Sequence, residues 1–124
     1  LALWLVWTAL STDAARRPPG ALKIVVIEGE DAVNVIQQGS AVAPLVEVRD
    51  DNDQPVAGVF LTFSVRGGRH ARLAGNLDTI TVTTDAAGRG RATGLVPTGR
   101  GRVTIDVRAR YQNLTTTATI SQTN

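Results

Sequence analysis

The sequence predicts an all-β sandwich of eight or nine short strands in two sheets, and three observations carry that expectation. Apolar residues recur with a period of two, the pattern of strands that bury one face. Turn signals built from Gly, Pro, Asp and Asn punctuate the chain about every ten residues, as in two-sheet folds. Threonine, valine, alanine and glycine dominate while lysine occurs once, which favours strands and tight turns over surface helices.

At 124 residues the chain is long enough for one domain plus an appendage. Residues 1–20 read as the appendage and 21–124 as the domain. Leu1–Leu10 is uniformly apolar and contains both tryptophans. It is half the length that a membrane-spanning helix needs, about twenty residues. Its length suits either the apolar core of a secretory signal or membrane anchor, or a segment that docks into a neighbouring subunit. In the second case Leu1, Leu3, Trp4, Leu5, Val6, Trp7 and Leu10 are the partner-binding residues, since left in water they would form an aggregation-prone patch. Ser11–Gly20, with Arg16-Arg17-Pro18-Pro19-Gly20, reads as a stiffened linker.

From Leu22 the strands follow in order. Leu22–Ile27 is rich in β-branched residues and stops at Glu28-Gly29. Val33–Ile36 is a second short strand, ended by Gln37-Gln38-Gly39. Val42–Arg49 alternates, with Val42, Pro44, Val46 and Val48 on the inner side. Asp50–Pro55 is a turn. Val59, Leu61, Phe63 and Val65 then point inward and Phe60, Thr62 and Ser64 outward, which makes this stretch the expected centre of the core; Gly58 marks a bulge or close approach just before it. His70–Ala74 is a weak edge strand with His70 exposed. Thr79–Thr83 alternates cleanly, and Asp85-Ala86-Ala87-Gly88 reads as a tight hairpin turn with glycine at positive φ. Gly88–Val96 follows. Gly101–Ala109 turns Val103, Ile105, Val107 and Ala109 inward. Leu114–Ile120 closes the chain with Leu114, Ala118 and Ile120 inward.

Several motifs fall in a telling order: Gln38-Gly39, Pro44–Val48, Asp50, Pro55-Val-Ala-Gly-Val59, Thr62-Phe-Ser-Val65, Thr83-Thr-Asp85, Gly88 and Arg91-Ala92. Together they resemble the bacterial immunoglobulin-like domains of group 1, the type found in intimins and invasins, over residues 22–121. The resemblance implies an immunoglobulin-like sandwich and a non-enzymatic spacer or adhesion role in secreted or cell-surface proteins. It implies no catalytic residues.

The chemistry-bearing residues are few. There is no cysteine, which removes disulfides, thiol nucleophiles and thiolate-bound metals. A single histidine, His70, cannot build a multi-histidine zinc site. No serine sits in a nucleophile-elbow motif and no glycine-rich loop opens a helix. No enzyme activity and no cofactor are expected. The acidic run offers a calcium candidate in Asp50, Asp51 and Asp53, because hard cations need several converging oxygens, although a turn satisfies the same residues locally. Nine of the twelve arginines lie between Arg66 and Arg110. Arg89 and Arg91, Arg100 and Arg102, and Arg108 and Arg110 are i, i+2 pairs, each on one strand face. If their strands are neighbours they form an anion-binding stripe for a surface glycan or other polyanion. Stacking aromatics are sparse, which disfavours nucleic acid. The expected function is a building block of an extracellular fibre or adhesin, self-associating or contacting neighbouring surface domains. A membrane would be touched only through Leu1–Leu10.

Overall fold

A computed structural model of the chain describes residues 18–39 and 41–124, and these form an all-β sandwich. The described residues make ten strands: β1 (Leu22–Glu28), β2 (Ala32–Val33), β3 (Leu45–Asp50), β4 (Phe60–Val65), β5 (Ala71–Arg72), β6 (Thr79–Thr83), β7 (Arg89–Arg91), β8 (Val96–Pro97), β9 (Arg102–Tyr111) and β10 (Leu114–Thr123). One sheet has the order β1-β3-β7, the other β2-β10-β9-β4-β6, and β5-β8 form a small two-stranded ribbon. The chain begins on one sheet in β1, and its continuation β2 joins the other. Here β1 runs antiparallel to β3, whereas β2 runs parallel to the end of β10.

The core lies where period-two alternation turns both sheets inward. Val59, Leu61 and Phe63 are fully buried and Val65 nearly so. Val103, Ile105, Val107 and Ala109 meet them from β9, and Val46 and Val48 from the opposite sheet. Phe60, one residue out of phase, is 54% exposed. The seam between β1 and β10 is less closed. Leu22, Ile24 and Val26 are only half-buried, as are Leu114 and Ala118.

Much of the quoted motif set converges on one knot beside the core. Gly88, at φ 75°, donates to the Asp85 carbonyl, and a Cβ there would sit 2.7 Å from the Val48 oxygen and 3.0 Å from Val56 N. That combination leaves room only for glycine. Val48 N donates to the Gly88 carbonyl, and Val56 N to the Val48 carbonyl. Thr84, buried, donates to the Val56 carbonyl and accepts from Val59 N. Asp85 Oδ1 accepts from Ala87 N and Arg89 N and so caps the turn. These residues hold the fold and are consumed in doing so.

At the opposite end a polar cluster ties β10 to the loop before β3. Gln122, 1% exposed, donates from Nε2 to the carbonyls of Gly29 and Val42 and accepts from Asn34 Nδ2 at 2.8 Å. Asn34 Oδ1 accepts from Val42 N. Asn124 Nδ2 donates to the carbonyls of His70 and Gly99.

Several expected elements differ. Val33–Ile36 is not one strand, because Asn34 turns inward to Gln122 and a 3-10 turn, Ile36–Gln38, follows. Val42 is 45% exposed rather than buried, since its backbone is bonded to Asn34 and Gln122 instead of to a strand. Asp85–Gly88 closes as a tight turn but is no hairpin: β6 pairs with β4 and β7 with β3, so the turn carries the chain from one sheet to the other. Gly88–Val96 divides into β7 and β8. Gly58 stands at φ 77° with its nearest foreign atom 4.0 Å away, so backbone conformation rather than close approach selects it. His70 is half-buried, its ring packed over Gly99 and Gly101.

Candidate interaction surfaces

The outer face of the five-stranded sheet is laid out by register. Thr83, Phe60, Arg110 and Thr115 form one row across β6, β4, β9 and β10; Thr81, Thr62, Arg108 and Thr117 form the next; Thr79, Ser64, Asp106 and Thr119 the third. Alternation puts these residues on one face, because the residues between them, Thr116 apart, are apolar. Hydroxyls link the rows sideways, with Thr62 Oγ1 and Thr81 Oγ1 3.2 Å apart and Thr79 donating to Ser64. Asp106 is bonded by Arg66 at 2.6 and 3.1 Å, and that guanidinium holds its carboxyl below the usual range. Arg108 and Arg110, both exposed, have no carboxylate partner among the described residues. With Phe60, Thr62 and Thr81 they line a shallow depression of about 320 Å³.

The six arginines do not form one stripe. β7 and β9 belong to different sheets, so Arg89 and Arg91 face away from Arg108 and Arg110. Arg89 pairs with Glu47 at 3.1 Å and Arg91 with Glu28 at 3.3 Å. Glu47, buried between Arg49 and Arg89, has its pKa lowered by hydrogen bonds first from Arg49 and then from Arg89. Arg100 sits in a bend, and Arg102 lies at the far end of β9 opposite Thr123. Among the described residues, Arg108 and Arg110 alone of the three pairs keep both a shared strand face and no carboxylate partner. Phe60 is visible in the sequence as an outward residue, but its place opposite Arg110 and one row from Arg108 depends on β4–β9 pairing.

The three acids of the calcium candidate diverge. Asp50 Oδ1 accepts from Asn52 N and Gln54 N, capping its own turn. Asp51 accepts from Gly20 N at 3.0 Å. Asp53 pairs with Lys23 at 2.7 Å and Arg49 at 3.5 Å, and Lys23 chiefly keeps its pKa low. Among the described residues no group of three His, Cys, Asp or Glu side chains is placed to hold a metal ion. The turn accounts for the acidic run.

The expected partner-binding residues Leu1, Leu3, Trp4, Leu5, Val6, Trp7 and Leu10 lie outside the described residues. Among the described residues no helix is long and apolar enough to cross a membrane.

The remaining surface is the sheet's two ends. β6 closes one end; at the other, β2 covers only Gln122 and Thr123 of β10. Compared with known proteins, the chain matches no family model, no curated protein and no solved structure.

Proposed function

We propose that the protein is a non-enzymatic structural module of a secreted or cell-surface assembly, of the bacterial immunoglobulin-like kind found in intimins and invasins. Copies are joined when the apolar segment Leu1–Leu10 of one docks into a neighbour. The observation that carries this reading is a mismatch within one chain. The sandwich fills its own centre, with Phe63, Leu61, Ile105 and Val107 at most 1% exposed, yet the sequence supplies nine further apolar residues, two of them tryptophans, ahead of a proline-stiffened linker. Burying such a segment in a partner removes it from water at about 25 cal/mol per Å². The motif residues support the same reading, because they serve the turns and strand contacts that keep a sandwich rigid.

Light scattering on the full chain and on a chain lacking residues 1–20 tests it. The full chain is expected as a multi-copy particle and the shortened one as a folded monomer. Equal, monomeric masses would overturn the proposal.

A second reading has its own observation: Phe60 stands exposed beside Arg110 and one row from Arg108, neither of which has a carboxylate partner among the described residues. An aromatic face, two guanidiniums and rows of hydroxyls suit an acidic glycan, with the ring against the sugar and arginine on its carboxylate or sulfate. On this reading Arg108→Ala with Arg110→Ala abolishes salt-sensitive retention on heparin, whereas Arg89→Ala with Arg91→Ala leaves it unchanged. Unaltered retention in the first variant would rule the site out.

A further inference from the structure

We infer that the acceptor in this assembly is the open edge of β10, Leu114–Ile120, onto which Leu1–Leu10 of a second copy adds as a further strand of the five-stranded sheet. The inference rests on the assembly reading above and specifies its receiving surface.

The backbone direction along β10 is fixed by bonds at its end. The Ser121 carbonyl accepts from Asp31 N and the Thr123 carbonyl from Asn34 N, both on the side away from β9. The β9–β10 register runs from Leu114 to Thr123 without a bulge. Strand backbone groups alternate edges with the same period as side chains. Thr115, Thr117 and Thr119 therefore turn their N–H and C=O groups to the open side, three donors and three acceptors in a row. None of them is bonded to another described backbone group on that side.

Exposed edges are commonly protected by charge, proline, a bulge or brevity. Leu114-Thr-Thr-Thr-Ala-Thr-Ile120 has none of these: it is uncharged, free of proline and glycine, regular and seven residues long. The three-stranded sheet differs. Its β1 carries Lys23, Glu28 and a register shift between Val26 and Glu28, and its β7 is three residues, Arg-Gly-Arg. β6 is the rival open edge but offers only five residues.

The occupant follows from the surroundings of this edge. β1 packs against β10, and the seam between them leaves Leu22, Ile24, Leu114 and Ala118 half-buried. A strand added to β10 places alternate side chains over that seam, so the site asks for an uncharged apolar segment at least seven residues long. Leu1–Leu10 is such a segment. It is assigned to a second copy by the assembly reading above; the chain enters β1 through the stiff Pro18-Pro19 and a bond from Gly20 N to Asp51. Affinity then comes from main-chain hydrogen bonds and selectivity from the apolar seam.

The test compares three variants of the full chain by light scattering: Thr117→Pro, Thr81→Pro and deletion of residues 1–10. Thr117→Pro removes the central donor of the β10 edge, which proline tolerates where the N–H faces solvent. Thr81→Pro does the same on β6, whose Thr81 N–H points away from β4 by the alternation that Val65 N to Asp78 O establishes. Thr117→Pro and the deletion are each expected to weaken association at least about tenfold, with unchanged circular dichroism, while Thr81→Pro assembles normally. Loss in Thr81→Pro instead, or in the deletion alone, would overturn the β10 assignment and leave the assembly reading intact. Normal assembly of the deleted chain would overturn both. If Thr117→Pro unfolds, amide exchange in the unmodified chain decides: Thr115, Thr117 and Thr119 are protected in the full chain and exchange freely without residues 1–10, and equal exchange contradicts the inference.

Discussion

Replacing Phe63 with alanine is expected to cost about 3–5 kcal/mol, the largest loss available from one core side chain in this molecule. The ring is fully buried between the sheets, opposite Ile80 in β6 and Val107 in β9. Strand backbones on both sides are tied into the five-stranded sheet, so the site cannot collapse to fill the space. A loss of that size lowers the melting temperature by about 12 °C or more in a domain near 100 residues. Thr62→Ala, one residue away on the outer face, is expected to change stability by under about 0.5 kcal/mol. Urea titration of both variants checks the contrast. Similar midpoints would mean that the alternation does not decide burial here.

Gln122→Leu is the second large effect, and it runs against hydrophobicity. Leucine is of similar size and apolar, yet it leaves the carbonyls of Gly29 and Val42 without their donor and deprives Asn34 Nδ2 of its 2.8 Å acceptor. A fully orphaned buried group costs about 1–3 kcal/mol; here the two carbonyls are part-buried and Asn34 Nδ2 keeps Asn124 Oδ1 at 3.2 Å, so the loss expected is about 2–5 kcal/mol rather than three full penalties. The damage is local first: exchange of the Asn34 and Val42 amides should speed up before the core opens. A stabilised leucine variant would show that water already serves those carbonyls.

These two residues mark how far the sequence could be read. Phe63 was legible because its neighbours Val59, Leu61 and Val65 repeat every two positions, and the same held for β9 and for Val46 and Val48. Gln122 was not, because a lone glutamine near a chain end reads as solvent-facing; only the tertiary fold brings Asn34 and the Val42 carbonyl to it. Arg89 and Arg91 failed for a related reason. Parity assigns a residue to a face of its strand but not the strand to a sheet, and the turn at Asp85–Gly88 moves the chain between sheets. Gly90 carries a trace of that crossing: a Cβ there would meet Leu61 Cδ1 at 2.6 Å, so β7 must lie flat against the core. The outward position of Phe60 was plain in the sequence, and its setting beside Arg110 and near Arg108 was not.

Site-specific crosslinking shows whether the apolar segment of one copy reaches the β10 edge of another. The chain has no cysteine, so Leu5→Cys in one preparation and Thr117→Cys in a second are the only thiols when the two are mixed. With a short bismaleimide crosslinker, a covalent pair containing one chain of each kind is expected, formed in high yield and lost when Thr81→Cys replaces Thr117→Cys. A pair formed equally well with Thr81→Cys, or a single chain carrying both cysteines that closes on itself at any dilution, would contradict it.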